Sequence, residues 1–259
     1  MSKHNKVSLI IPVRNEENSV SKMLKKVPDL VGEVLVVDNN SADKTAAIAR
    51  KHGARVLKEP KRDRFGIGYG YAHQKGIRQA KGDLIVAMDG DDTYPLEEIK
   101  DVIKFMEKNS LDFVSCRRFP LKKKAVISKV RQFGVWLLNF ETRVLYRYPI
   151  KDILSGMWVM NKNAKAKLNL REGGWNLSPE IKLNAILNKD IKFAEYYIDH
   201  HYRLDEKSKQ KIFQTGFNHF VYIFAKWFKV DSSVAKTYKE IAKSISGLAK
   251  RRLPRIAFR

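Results

Sequence analysis

Short apolar runs alternate with stretches of helical spacing through the first half of the chain. Runs that are apolar at almost every position predict strands buried on both faces. Strands that alternate with helices predict a mostly parallel sheet with helices on both of its sides. The predicted strands cover residues 7–11, 34–37, 55–57, 84–88 and 113–115.

Polar residues after these strands predict where the first helices begin. Asn15 is expected to cap a helix, since Asn side chains accept backbone hydrogen bonds at helix starts. Ser41 and Asp43 are expected to open a second helix that reaches Gly53. Pro95, a residue suited to the first turn, is expected to open a third that ends near Lys108.

The second half is less regular and richer in aromatic residues. It has predicted helices at 129–147 and 179–187 and predicted strands at 157–160 and 191–198. A further helix carries an aromatic stripe at helical spacing, Phe213, Phe217, Phe220, Phe224 and Trp227. Such a stripe fits either a domain core or a surface that binds a membrane.

The predicted organisation is one α/β domain with an appended segment. The domain spans residues 1–210 and is divided into a half at 1–115 and a half at 116–210. Residues 211–259 form a basic, amphipathic helical segment at the C-terminus. A chain of 259 residues, 44% hydrophobic, is long enough to bury a sizeable core.

The cysteine content and the lengths of the apolar runs bear on the cellular compartment of the protein. Cys116 is the only cysteine, so an internal disulfide is excluded. The N-terminus lacks the apolar core of a signal peptide, and no run reaches the roughly 18 apolar residues that span a bilayer. We therefore expect a cytoplasmic protein.

The net charge of +23 is concentrated in the second half. Residues 1–115 contain 20 Lys/Arg and 17 Asp/Glu, whereas residues 116–259 contain 31 and 11. Such an asymmetry predicts an anionic partner for the second half. Nucleic acid, anionic lipid and a phosphorylated substrate all satisfy this requirement.

Polar residues follow three predicted strands at the edge where an open α/β sheet binds ligands. These residues are Pro12–Arg14, Asp38 and Asp89–Asp92. Carboxylates separated by one glycine can turn toward one hard divalent cation, which also binds substrate phosphates. Asp89-Gly90-Asp91 thus predicts a metal site, although Asp and Gly also favour a solvated turn.

Three segments resemble the motifs of the family 2 glycosyltransferases: 7–17, 34–45 and 89–98. The third is similar to the metal motif of the polyprenyl-phosphate branch, which includes the dolichyl-phosphate mannose synthases. Asn39 stands where the second motif usually has another Asp. The resemblance implies a GT-A fold, which is an α/β fold with a Rossmann-like, mostly parallel sheet, and inverting transfer from a nucleotide-sugar such as GDP-mannose or a UDP-sugar.

The resemblance also implies roles for individual residues. Asp89 and Asp91 would hold Mg²⁺ or Mn²⁺, and Asp91 would be essential for catalysis. A loop at 203–209 would close over the donor. The residues expected to bind the donor are Pro12, Arg14, Glu16, Asp38, Asp89, Gly90, Arg117, Arg203, Ser208 and Lys209.

The acceptor side is predicted from two further residues. Arg131 resembles an Arg on the helix that approaches the acceptor phosphate in the family, and Glu180 falls where relatives carry acidic residues. Glu180 is therefore a candidate general base, but a Glu at a helix N-terminus also has a structural explanation.

Two acceptors remain open: a polyprenyl or dolichyl phosphate, and a hydroxyl of a lipid-linked glycan. A hydroxyl needs a carboxylate to take its proton, either Glu180 or Asp152, whereas a phosphate oxygen is already anionic. Cations between Arg117 and Arg131 favour the phosphate. Nucleic acid is disfavoured because no binding motif is present. We therefore expect a transferase bound peripherally to the cytoplasmic, anionic face of a membrane.

Overall fold

The computed structural model describes residues 6–122, 127–202 and 211–228. A seven-stranded sheet has the order β3-β2-β1-β4-β6-β5-β7, and β6 alone runs antiparallel to its neighbours. The predicted α/β fold with a mostly parallel sheet is confirmed. The strands are β1 (Val7–Val13), β2 (Val31–Asp38), β3 (Arg55–Lys58), β4 (Leu84–Ala87), β5 (Phe113–Arg117), β6 (Trp158–Asn161) and β7 (Phe193–Tyr197).

Helices cover both faces of this sheet because neighbouring strand residues point to opposite sides. Leu9 and Ile11 pack in the core under α1, α2 and α4, whereas Ile10 packs in the core under α3, α6 and α7. The helices are α1 (Glu17–Leu24), α2 (Thr45–Lys51), α3 (Tyr69–Gln79), α4 (Ile99–Lys108), α5 (Lys129–Tyr146), α6 (Lys162–Lys167), α7 (Leu177–Leu187) and α8 (Ile212–Trp227).

Helices α5 and α8 pack against each other beside α7 and form a smaller third core. Leu138 of α5, Leu183 of α7 and Ile223 of α8 meet there. The hydroxyl of Tyr146 donates a hydrogen bond to the carbonyl of Ile223 at 2.9 Å, which ties the two helices together. Within the predicted C-terminal segment 211–259, the described part is residues 211–228, which contain α8.

Two local expectations at the end of β1 are wrong. The strand predicted to end at residue 11 continues through Pro12, and it pairs with β2 as far as Val13. The backbone groups of Ile10 and Pro12 both face β4, and the pairing between β1 and β4 ends at Ile10. Because Pro12 lies beyond that pairing, its missing N–H removes no hydrogen bond between the two strands. Asn15 does not cap α1; it has φ of 51° and accepts a hydrogen bond from the Ala42 amide.

Gly76 sets how closely α3 approaches the sheet. A Cβ at this position would lie 2.4 Å from Cγ2 of Ile10 and 3.2 Å from Cγ2 of Val37. Both contacts are with fully buried side chains at the centre of the sheet. Position 76 therefore requires glycine because α3 could not otherwise pack against β1.

Replacing Gly76 with Ala should destabilise the protein by about 1–3 kcal/mol, since overpacking outweighs the better helix propensity of Ala. The matched control is Gly134→Ala in α5, where a Cβ would meet nothing within 4 Å. That control should stabilise by about 0.5–1 kcal/mol. Urea unfolding would measure both, and an equal response of the two variants would contradict the packing argument.

Candidate active site

A cavity of about 960 Å³ opens at the carboxyl ends of the central strands. It extends from the ends of β1 and β4 to the space between α5 and α8. Among the residues predicted as site residues, those in its wall are Pro12, Arg14, Glu16, Asp89, Gly90, Asp91 and Arg131. The structure thus brings together five of the ten predicted donor residues, both predicted metal ligands and Arg131, the predicted acceptor residue.

The turn after β4 is shaped by the absence of a side chain at Gly90. A Cβ there would lie 2.7 Å from Cγ1 of Val13 and 2.8 Å from the carbonyl oxygen of Pro12. Only glycine therefore lets Asp89 and Asp91 fold back against the end of β1. The next residue, Asp92, turns away from the cavity into a 3.1 Å ion pair with Lys26.

Hydroxyl groups orient both carboxylates. Tyr69 donates to Oδ1 of Asp89 at 2.9 Å, and Thr93 donates through Oγ1 to Oδ1 of Asp91 at 2.7 Å. Gly156 packs directly against the Asp89 carboxylate, where a Cβ would lie 2.3 Å from Oδ2. The Asp89 carboxylate therefore lies between the Tyr69 hydroxyl and the backbone of Gly156.

The electrostatics of this pair fit a divalent cation. Burial, with the nearby charge of Asp91, raises the pKa of Asp89 to about 7. Within the described parts of the chain, no group of three or more His, Cys, Asp or Glu side chains converges to bind a metal. Two carboxylates without further protein ligands suit Mg²⁺ or Mn²⁺, which complete their coordination with substrate phosphates and water.

Arg118, rather than the predicted Arg117, reaches the cavity. Its Nε and Nη2 bind the two oxygens of Asp152 at 2.7 and 2.9 Å. Arg117 instead lies 5.1 Å from the ring centroid of Tyr197 and is absent from the cavity wall. The residues at 117 and 118 point to different sides at the end of β5, and the sequence alone does not reveal which one faces the ligand.

Asp38 and Asn39, neighbours in the second motif, have different surroundings. Asp38 is buried and accepts hydrogen bonds from the amide and hydroxyl of Ser41, outside the cavity wall. Asn39 does line the cavity, and its side-chain amide donates to the carbonyls of Glu59 and Lys61. A carboxylate could not donate these bonds, which accounts for Asn at this position.

Glu180 lies outside the cavity wall. Its carboxylate is buried and accepts hydrogen bonds from the amides of Arg171 and Glu172, at 2.9–3.0 Å. Burial raises the pKa of Glu180 to about 7. These contacts support the backbone at Arg171 and Glu172, which is a structural role.

Aromatic side chains that were not predicted as site residues also line the cavity, among them Tyr69, Trp175, His200 and His201. Tyr69 and Trp175 pack with ring centroids 4.8 Å apart beside Asp89. His200 packs against Tyr94, and burial lowers the pKa of His200 to about 3, so its ring is neutral. Only tertiary contacts bring these rings to the site, since they follow no strand-end motif.

The other end of the cavity lies between α5 and α8. Arg131 and Gly134 line it from α5, and Gly216 and His219 line it from α8. A Cβ at either glycine would meet nothing within 4 Å. The two glycines therefore leave open space between the two helices, which we name the α5–α8 gap.

The outer faces of the same helices are unusually apolar. Of the 16 large hydrophobic side chains exposed in the described parts of the chain, 13 lie on α5, on α8 or at Phe228. The exposed fraction reaches 63% at Phe133 and 82% at Phe213. We call this the aromatic surface; its main members are Phe133, Trp136, Phe140, Phe213, Phe217, Phe220 and Phe224.

Neither α5 nor any other described helix is long and apolar enough to cross a bilayer. The predicted donor-loop residues Arg203, Ser208 and Lys209 lie outside the described residues.

Comparison with known proteins gives a family and a fold. Residues 8–168 match the model of glycosyl transferase family 2. The chain is 28% identical over 221 residues to the low-salt glycan biosynthesis hexosyltransferase Agl6 of Haloferax volcanii, covering 82% of this chain and 52% of that protein. It is 26% identical over 204 residues to a dolichol-phosphate mannosyltransferase of Pyrococcus furiosus, covering 72% and 55%. The chain thus spans about half the length of both relatives.

The fold is also that of a solved glycosyltransferase. A glucosyl-3-phosphoglycerate synthase from Mycobacterium tuberculosis, crystallised with Mn²⁺, uridine diphosphate and glucosyl-3-phosphoglycerate, superposes with a TM-score of 0.68. The sequences are 17% identical, and the match covers 88% of this chain and 81% of the synthase. The predicted GT-A fold is confirmed by this likeness, and the chain belongs to glycosyl transferase family 2.

Proposed function

We propose that this protein is an inverting, metal-dependent hexosyltransferase that moves a sugar from a nucleotide-sugar to the phosphate of a polyprenyl or dolichyl lipid at the cytoplasmic face of a membrane. The observation that carries the proposal is the course of the cavity. It starts at the paired carboxylates Asp89 and Asp91 and ends in the α5–α8 gap, next to the aromatic surface.

The donor end supports a nucleoside diphosphate with a metal. Asp89 and Asp91 would hold Mg²⁺ or Mn²⁺, which neutralises charge on the departing diphosphate. Pro12, Arg14 and Asn39 line the adjoining wall, where the nucleoside would bind. A solved neighbour that contains Mn²⁺ and uridine diphosphate supports this use of the fold.

The acceptor end favours a phosphate over a sugar hydroxyl. A hydroxyl would need a general base, and the two carboxylates considered for that role are engaged elsewhere. Asp152 accepts hydrogen bonds from Nε and Nη2 of Arg118, and Glu180 accepts hydrogen bonds from two backbone amides. An anionic phosphate oxygen needs only to be positioned, and Arg131 lies in the cavity wall where it can bind such a group.

The α5–α8 gap suits the hydrocarbon chain of a lipid acceptor. Small and apolar residues line it from both helices, beside the polar side chains of Arg131, Thr215 and His219, and it leads toward the aromatic surface. Aromatic side chains on helices with flanking lysines, such as Lys129 and Lys226, are typical of helices that lie in a membrane interface. The relative named dolichol-phosphate mannosyltransferase is consistent with this class of acceptor.

The proposal predicts metal-dependent donor cleavage that a lipid phosphate stimulates. The purified protein would be incubated with Mn²⁺ or Mg²⁺ and a panel of UDP- and GDP-sugars, with and without a short polyprenyl phosphate. Asp91→Ala should lower glycolipid formation more than about 100-fold, since bound metal supplies several kcal/mol of transition-state stabilisation.

Asp92→Asn serves as a matched control, because Asp92 forms an ion pair with Lys26 rather than lining the cavity. It should retain transfer, and circular dichroism should report a native fold for both variants. Nucleoside diphosphate release without any glycolipid would redirect the acceptor to a glycan hydroxyl. Full activity of Asp91→Ala would exclude the metal assignment.

The aromatic surface should bind anionic vesicles. Replacing both Trp136 and Phe140 with Ser should weaken binding to phosphatidylglycerol vesicles by roughly 30-fold, which corresponds to about 2 kcal/mol of lost apolar burial. Co-sedimentation would measure it. Phe65→Ser, an exposed aromatic outside α5 and α8, is the control and should bind like the unmodified protein. Equal binding by both variants would show that this surface does not meet the membrane.

Filling the α5–α8 gap should block lipid acceptors selectively. Gly216→Leu should reduce kcat/KM for a long-chain polyprenyl phosphate by about tenfold or more, the effect of losing contact with two methylene groups. Donor hydrolysis in the absence of acceptor should be unchanged, because Gly216 lies away from Asp89. Gly216→Ala, which adds only one methyl group, is the control. An equal loss of donor hydrolysis in Gly216→Leu would contradict a lipid role for the gap.

A further inference from the structure

Lys182 is a buried cation that the proposed chemistry does not use. It lies in the middle of α7, among the apolar residues Ile181 and Leu183, and its side chain is 0% exposed. Within the described parts of the chain it forms no ion pair with a carboxylate at 4.0 Å or less. Burial lowers the pKa of Lys182 to about 7. A leucine or methionine would fill this position at a lower desolvation cost. We therefore expect the hydrogen bonds of the ammonium group to have a function.

The ammonium group joins two backbone segments. Nζ donates to the carbonyl of Ser155 at 2.6 Å and to the carbonyl of Ser178 at 3.1 Å. It also lies 5.4 Å from the ring centroid of Trp158 in β6. Lys182 therefore links the loop before β6 to the first turn of α7.

Each of these segments also holds Asp89. Ser155 is followed by Gly156, whose backbone packs on the Oδ2 side of the Asp89 carboxylate. The amide of Ser178 donates to the carbonyl of Trp175 at 3.2 Å, and the Trp175 ring packs against Tyr69 with ring centroids 4.8 Å apart. Tyr69 in turn donates to Oδ1 of the same carboxylate. The two surfaces that confine Asp89 thus meet at one ammonium group.

We propose that Lys182 is a positioning residue for the metal-binding carboxylates: by joining the Ser155 carbonyl to the first turn of α7, it fixes the orientation of Asp89 for metal and diphosphate. The proposal rests on the metal site of the proposed function. It assigns Lys182 no contact with substrate. Its effect is transmitted through Gly156 on one side and through Trp175 and Tyr69 on the other.

The test compares Lys182→Met, which keeps the length of the side chain and removes its donors, with Lys165→Met. Lys165 also donates to a backbone carbonyl, that of Ala80 at 2.9 Å, but it lies near the start of β4, away from the cavity. Mn²⁺ binding would be measured by electron paramagnetic resonance with UDP or GDP present, and stability by thermal unfolding.

We expect Lys182→Met to weaken Mn²⁺ binding about tenfold, which is the usual effect of losing a group that orients a metal ligand. The Tm of this variant should stay unchanged or rise, because a buried charge has been removed. Excess Mn²⁺ should restore turnover, which would locate the defect in metal affinity rather than in kcat. Lys165→Met should bind Mn²⁺ normally. Lys182→Gln keeps one donor group and should fall between the two; it replaces Lys182→Met if that variant fails to fold.

Two outcomes would overturn the inference. Mn²⁺ affinity in Lys182→Met within twofold of the unmodified protein would exclude a positioning role, and so would a loss of affinity matched by an equal loss in Lys165→Met. Asp91→Ala distinguishes these results from a failure of the proposed function. If Asp91→Ala binds Mn²⁺ as well as the unmodified protein does, the metal site itself is wrong.

Discussion

The negative charge of Asp89 is the constraint around which the site is built. Burial, with the charge of Asp91 nearby, raises the pKa of this carboxylate to about 7. It binds a metal strongly only when its surroundings favour the ionised form. Tyr69 donates to it, and Arg118 and Lys182 supply nearby positive charge. A bound cation would complete this balance, and the surrounding packing keeps the carboxylate in place to receive it.

Glycines affect the packing of the site in two different ways. Gly90 and Gly156 allow close approach, because a side chain at either position would collide with the end of β1 or with the Asp89 carboxylate itself. Gly134 and Gly216 instead leave space, since nothing would meet a Cβ at either position. One cavity therefore combines a tightly packed end that carries the two carboxylates with an open end between α5 and α8, which is the arrangement that the proposed donor and lipid acceptor would require together.

Predictions from the sequence succeeded where a local pattern was sufficient. Buried apolar runs predicted the strands, and the positions of Pro12, Arg14, Asp89 and Asp91 at strand ends predicted the edge that carries the cavity. They failed where a choice between neighbours depended on how the strand ends are oriented. Arg117 matched the family pattern, yet Arg118 lines the cavity with its guanidinium paired to Asp152, 34 residues further along the chain.

The sequence by itself determined the family, the α/β fold and the carboxylate pair, because these depend on hydrophobic periodicity and on residues close together in the chain. Only the tertiary structure decided the roles of Glu180, His200 and Lys182. Glu180 supports a loop, His200 lines the cavity as a neutral ring, and Lys182 joins two segments beside Asp89. The physical reason is that burial and hydrogen-bond partners fix the charge and orientation of such side chains, and those partners come from distant parts of the chain.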